Sequence, residues 1–244
     1  MAIPSIEDML QAGVHFGHQT ARWNPKMRPY ILGQKNGIYV INLEKTRQGL
    51  EQAQQMARSV AASGRNVLFV GTKLSSRTVI QEAAKYCGQY YVTQRWLGGM
   101  LTNFQTVRKS IKQLENIEKI EQDGLFKELS KKEVLDLNRK REKLLDVFGG
   151  IRDMKSLPGL IFVSDIKHEH IAVAEAKRLR IPVVAICDTN VNPDPIDCPI
   201  PGNDDAVKSV QIMVQVVAEA VGQKAEDGKY SSAKAETELK TEEV

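Results

Sequence analysis

Short apolar runs of strand length alternate with stretches of helical periodicity along most of the chain. Gly37–Ile41 (GIYVI) reads as a strand. From Glu44 to Ala62, Leu50, Ala53, Ala57 and Val60 recur at helical spacing, and Gly64 stops the helix. Val67–Val70 is a fully apolar strand. After the Gly71-Thr72 turn, Ser75 or Ser76 is expected to cap a helix that runs to Cys87 and stops at Gly88. Tyr90–Thr93, Leu160–Val163 and Val183–Ile186 are further strands, and Glu169–Leu179 is a helix ended ahead of Pro182. Ile196–Ile200 reads as an edge strand, because Pro199 and Pro201 disfavour a central position. Asn203 or Asp204 caps a final helix, Asp205–Val221. Continuous apolar strands alternating with helices require a parallel sheet covered on both faces. The expectation is a doubly wound α/β fold with about five parallel strands.

Residues 104–148 break this rhythm and carry no strand signal. Val107, Ile111, Leu114 and Ile117 repeat at helical spacing, and Gln122-Asp123-Gly124 is a turn. Ser130-Lys131-Lys132-Glu133 is a capping box, and Val134, Leu137, Arg141, Leu144 and Phe148 follow it at steps of three and four. The pattern predicts an antiparallel helical hairpin with a coiled-coil seam. Arg141 stands where that seam would take Leu, so a carboxylate of the facing helix or a bound phosphate is expected to compensate it. The domain organisation read from this is an α/β body (1–104 and 149–221), a hairpin insertion (105–148) and a disordered tail (222–244) with almost no large apolar residues.

Composition narrows the class. Of 244 residues, 42% are hydrophobic and 26% charged, which supports a packed core. No run approaches the roughly 18 apolar residues of a membrane span. The first residues lack the basic start and apolar stretch of a secretory signal. Three scattered cysteines do not make a disulfide framework, so a reducing cytosol is expected. Net charge is +4, but the segment Gly222–Val244 holds four Lys and six acids, leaving 30 basic and 24 acidic residues in the body. A basic body with an acidic tail suits a protein that faces a polyanion.

An enzyme of this fold would bind its ligand outside the carboxyl ends of the strands, where Thr72, Lys73, Asp165 and Asp188 lie. Glycine-rich dinucleotide, P-loop and nucleophile-elbow motifs are all missing, so a nucleotide- or sugar-binding enzyme rests on fold analogy alone. Histidines come in two pairs. His15 and His18 are three apart in HFGH, which on a helical turn would put both rings on one side. With Asp188, Asp204 and Asp205 they form a candidate metal set, for zinc or for magnesium, against the simpler reading of backbone-bonded histidines and a helix cap. His168 and His170 open a helix and lack metalloprotease spacing. The stronger signal is basic-aromatic interleaving. Arg22-Trp23-Asn24-Pro25-Lys26-Met27-Arg28-Pro29-Tyr30 is expected to stay extended, because of its two prolines. Its cations can meet phosphates while Trp23 and Tyr30 offer ring planes. In Arg95-Trp96-Leu97-Gly98-Gly99 the glycines would allow close backbone approach.

These segments carry a resemblance. GVHFGHQTARWNPKMRPYI (Gly13–Ile31), INLEKT (Ile41–Thr46), LFVGTK (Leu68–Lys73), RWLGGMLTNF (Arg95–Phe104) and IPGNDDA (Ile200–Ala206) are similar, in order, to the bacterial ribosomal protein S-two family. The resemblance covers about Ser5–Val221. It implies a non-enzymatic, flavodoxin-like protein with a helical-hairpin insertion that binds small-subunit rRNA and sits among other small-subunit proteins. It also implies a role in holding ribosomal protein S-one. On that reading Arg22, Trp23, Lys26 and Arg28 meet RNA. Arg95 and Trp96 brace the start of the hairpin, and Arg108, Lys109, Lys112, Arg139, Lys140 and Arg141 carry contacts along it. No cofactor is required, beyond the structural divalent ion that His15, His18 and the three Asp could hold.

Overall fold

The structure, a computed structural model, describes residues 3–124 and 130–222. The segment 222–244 expected to be a disordered tail lies outside them from residue 223 onward. The chain opens with helix α1 (Ile6–Gln11), strands β1 (Phe16–Gln19), β2 (Ile31–Lys35) and β3 (Ile38–Ile41), and helix α2 (Leu43–Ala62). The three strands form a small antiparallel sheet in the order β1-β3-β2. Asn36 and Gly37, both at positive φ, close the β2–β3 hairpin as a two-residue turn.

In this region one expectation is refined and two are corrected. GIYVI is a strand, but it pairs with β1 and β2 rather than joining the parallel sheet. His18 lies in β1, not on a helical turn, and His15 lies in the turn before that strand, so the two do not share one helical face. Pro25–Tyr30 is a 3-10 helix and not extended chain. Pro25 sits in its first turn, where a missing N–H costs nothing, and the φ that proline fixes is also a helical φ.

The body continues with β4 (Val67–Val70), α3 (Leu74–Tyr86), β5 (Tyr90–Val92), α4 (Phe104–Gln122), α5 (Lys131–Phe148), β6 (Leu160–Val163), α6 (His170–Arg178), β7 (Val183–Cys187), β8 (Cys198–Pro201) and a helix α7 over 207–222. β4 to β8 make a five-stranded, fully parallel sheet in the order β5-β4-β6-β7-β8. Counted within that sheet the order is 2-1-3-4-5, that of flavodoxin-like folds. Alternate residues of each strand feed two cores. Val67, Phe69, Leu160, Phe162, Val184 and Ile186 face α2, α3 and α7. Leu68, Val70, Ile161, Val163, Val183 and Ala185 face α6, Met27 and the segment from Trp96 to Leu101. Each such Val, Leu, Ile or Phe side chain, fully buried, contributes about 1.5–3 kcal/mol. Gly49 lies inside α2, where glycine is unfavourable, but a Cβ there would meet the Pro199 carbonyl oxygen at 2.7 Å. The missing side chain lets α2 rest directly on β8, where Thr46 Oγ1 donates to Pro201 O at 2.6 Å.

Capping differs from expectation at α3. Its N-cap is Lys73, without a side-chain cap bond, and Ser76 Oγ instead donates to Lys73 O. The β4–α3 turn is tight enough that the helix begins before either serine. At α5 the expected capping box is present, with Ser130 and Glu133 bonded reciprocally. α4 and α5 run antiparallel: Arg141 pairs with Glu121 far along α4, and Arg152, just past α5, pairs with Glu118 at 2.5 Å. Val107, Ile111 and Phe148 belong to the same core as α6 and the sheet, so the two helices are rooted in the body at that end.

Candidate nucleic-acid interface

The segment from His18 to Tyr30 is fastened to the loop after β7. His18 N donates to Thr189 Oγ1 and Asn24 N donates to Thr189 O, both at 2.8 Å. Asn24 Oδ1 then caps the 3-10 helix by accepting from Lys26 N. Met27 is fully buried and acts as the anchor. Around it Arg22, Lys26 and Arg28 are exposed. Lys26 pairs with Asp194, and Trp23 packs against Tyr39 with ring centroids 5.1 Å apart. The outcome is a short cationic ridge whose backbone is fixed from beneath.

The crevice between the carboxyl ends of β4 and β6 is the topological switch point, where a doubly wound enzyme would bind its ligand. Here protein groups fill it. Thr72 N and Oγ1 both donate to Glu169 Oε1 at 2.6 Å. Lys73 Nζ lies 3.1 Å from Asp165, 2.8 Å from Asp204 and 2.6 Å from Asp205. His18 Nδ1 lies 3.1 Å from Asp188 Oδ2. Burial opposes charge on Lys73, but its bonds to Asp204 and Asp205 outweigh that and raise its pKa. The bond to Asp188 raises the pKa of His18 against the pull of burial. Burial, with Asp165 and Asp188 nearby, pushes Asp204 up to about 7. Thr72, Lys73, Asp165 and Asp188 do come together, as an enzyme would need. Their polar groups are taken up within the protein, however, Thr72 by Glu169, Lys73 by Asp165 and Asp188 by His18 and Thr189, and the surplus of carboxylate would repel a phosphate.

The expected metal set is only partly assembled. His18, Asp188, Asp204 and Asp205 converge. His15 does not; it sits by Ile6, Leu10, Leu32 and Val40, with its ring against Phe16. As the side chains stand, the set does not fit zinc or magnesium. An ion would have to displace the Lys73 ammonium, which already lies among Asp165, Asp204 and Asp205. Among the described residues no group of three or more His, Cys, Asp or Glu side chains is arranged to hold a metal.

The loop before α4 is organised by one acid. Glu175, buried on α6, accepts from Trp96 Nε1 (3.1 Å), Gly99 N (2.7 Å), Leu101 N (3.0 Å), Thr102 N (2.9 Å) and Thr102 Oγ1 (3.0 Å). Burial alone would raise the Glu175 pKa, but these donors prevail and hold it below the usual value. Trp96 is 7% exposed with its indole N–H committed, so it is an internal brace and not a stacking plane for a base. Gly99 is needed for its φ of +91°, and within the chain the side of Gly98 where a Cβ would stand is open. Arg95 remains exposed. On the two helices Lys109, Lys112, Arg139 and Lys140 are exposed. Arg108 Nη1 instead donates to Met154 O at 3.1 Å, a packing role that its position in the sequence did not suggest. Arg141 takes the facing carboxylate, Glu121.

The family model described as Ribosomal protein S2 matches residues 9–224. The chain belongs to the ribosomal protein S2 family. Similar proteins include the small ribosomal subunit protein uS2 of Campylobacter lari, 56% identical over 219 residues, which are 90% of this chain and 84% of that relative. The uS2 of Campylobacter fetus is 55% identical over 219 residues, 90% of this chain and 85% of its own length. That of Treponema pallidum (strain Nichols) is 51% identical over 221 residues, 91% and 76%. Within this family member, Thr189 and Glu175 are the positioning residues that the motifs alone did not reveal. Glu175 left a signal: it is an acid three residues from buried Ala172 on the apolar stripe of α6. Thr189 left none, because its partners His18 and Asn24 are distant in sequence.

Proposed function

We propose that this chain is a structural, non-enzymatic constituent of the small ribosomal subunit in the cytoplasm, bound there through rRNA. The observation that carries the reading is the match to relatives named small ribosomal subunit protein uS2 over 90% of the chain. The geometry supports it. Arg22, Lys26 and Arg28 stand exposed on a backbone fixed by Thr189 and Met27, so phosphate contacts there lose little conformational entropy. Lys109, Lys112, Arg139 and Lys140 would add contacts along α4 and α5. Recognition of this kind reads backbone and shape rather than base edges. Other small-subunit proteins are the expected neighbours. Docking of the mRNA-capturing ribosomal protein S-one is part of the proposal and rests on the resemblance alone; a pull-down with purified S-one checks it. The main test is sedimentation of the purified chain with small subunits depleted of their own copy. Co-sedimentation at moderate salt supports the reading, and a chain that stays at the top of the gradient contradicts it.

A further inference from the structure

Residues 94–103 form a loop with two supports. Arg77, from α3, donates through Nε to Thr72 O at 2.8 Å and through Nη2 to Gln94 O at 3.4 Å, which ties down the start. Glu175, from α6, takes the five donors of Trp96, Gly99, Leu101 and Thr102, which fixes the middle. Trp96, Met100 and Leu101 are buried in the core beneath. Nothing lies within 4 Å of where a Gly98 side chain would start, and Leu97 is 37% exposed beside exposed Arg95. A loop held this firmly from the inside presents a guanidinium, an apolar side chain and an open stretch of backbone to the outside.

We propose that Glu175 is a positioning residue for RNA binding, and that the surface it shapes, Arg95-Leu97-Gly98, is a contact with small-subunit rRNA. The proposal rests on the ribosomal reading above. Arg95 meets a phosphate there, Leu97 covers sugar or base surface, and Gly98 lets the strand approach. Glu175 touches no RNA; it acts by fixing the backbone on which these residues stand. A carboxylate is required because every group aimed at it is a donor. A glutamine would offer one oxygen and set an NH2 group against the remaining N–H groups.

The test is binding of the full chain to small-subunit rRNA, with Glu175→Gln, Arg95→Ala and the double variant compared with wild type. Arg95→Ala is expected to weaken binding about tenfold and to lower the salt slope by about one. Glu175→Gln is expected to do the same, and the double variant to bind no more weakly than Glu175→Gln alone. Independent, additive losses would overturn the positioning role. Unchanged binding in both single variants, with Arg28→Glu still impaired, would overturn the loop as a contact while leaving the ribosomal reading intact. Failure of the wild-type chain to bind would remove both. If Glu175→Gln does not fold, Trp96→Phe and Thr102→Val each delete one donor side chain and leave the carboxylate. Each is then expected to reduce the effect of Arg95→Ala, and an undiminished effect would refute the proposal.

Discussion

Single residues decide how the basic N-terminal segment is held. His18 is the titrating member of that attachment. Its pKa is raised in the folded chain, so its contribution is complete below pH 6.5, its ordinary value, and fades as pH rises through the raised value. Asp204, pushed up to about 7, also loses its contribution as pH rises, and it interacts with His18 through charge. Chemical unfolding of wild type and His18→Asn across this range should therefore show a stability gap that narrows as pH rises. A gap independent of pH would mean that His18 and Asp188 are not coupled in solution. This attachment was half legible in the sequence. The HFGH and NDDA motifs marked the residues, but spacing alone made His15 the partner of His18. A turn at His15 followed by a strand at His18 separates them, and that strand exists through pairing with β3, which is a tertiary fact. Lys73 reads in sequence as a strand-end residue that could face a ligand; that acids gather round it comes from the fold.

Among the elements, α4 and α5 are the ones the sequence describes best, and they join the body core at Val107, Ile111 and Phe148. Helical periodicity, the Gly124 turn and the Ser130 box were local signals, and local signals survive folding. Their rooting was not legible, since Val107 and Phe148 follow the same stripe as the residues farther out. A variant with residues 121–141 replaced by a short Gly/Ser linker keeps that root. It should retain the far-UV spectrum of the body and a cooperative unfolding transition, while rRNA binding falls through loss of Arg139 and Lys140. Loss of cooperative unfolding would show that the distal turns are part of the core. Arg141→Leu probes the seam itself. The Arg141–Glu121 pair is partly exposed on both sides, so it contributes about 0–1 kcal/mol, and a seam Leu should leave stability equal or slightly higher. A loss well above 1 kcal/mol in denaturant unfolding would mean that the pair is more important than an exposed ion pair.

For the whole molecule, the alternation of apolar strands and helices was enough to foresee five parallel strands. It also marked Gly37–Ile41 as a strand, but an apolar run does not reveal which sheet it will join, and this one joins the small antiparallel sheet. The assembled body has a crevice filled largely by paired protein groups where an enzyme would have its site, and exposed cations on braced segments. The central claim is that these cations hold the protein on small-subunit rRNA. The most direct measurement is co-sedimentation of the full chain with depleted small subunits over a salt series, for wild type and Arg28→Glu. The expected result is saturable binding whose log–log slope with salt is steep for wild type and shallower by about one for the variant. Binding that ignores salt, or no binding to the subunit at all, would contradict the account.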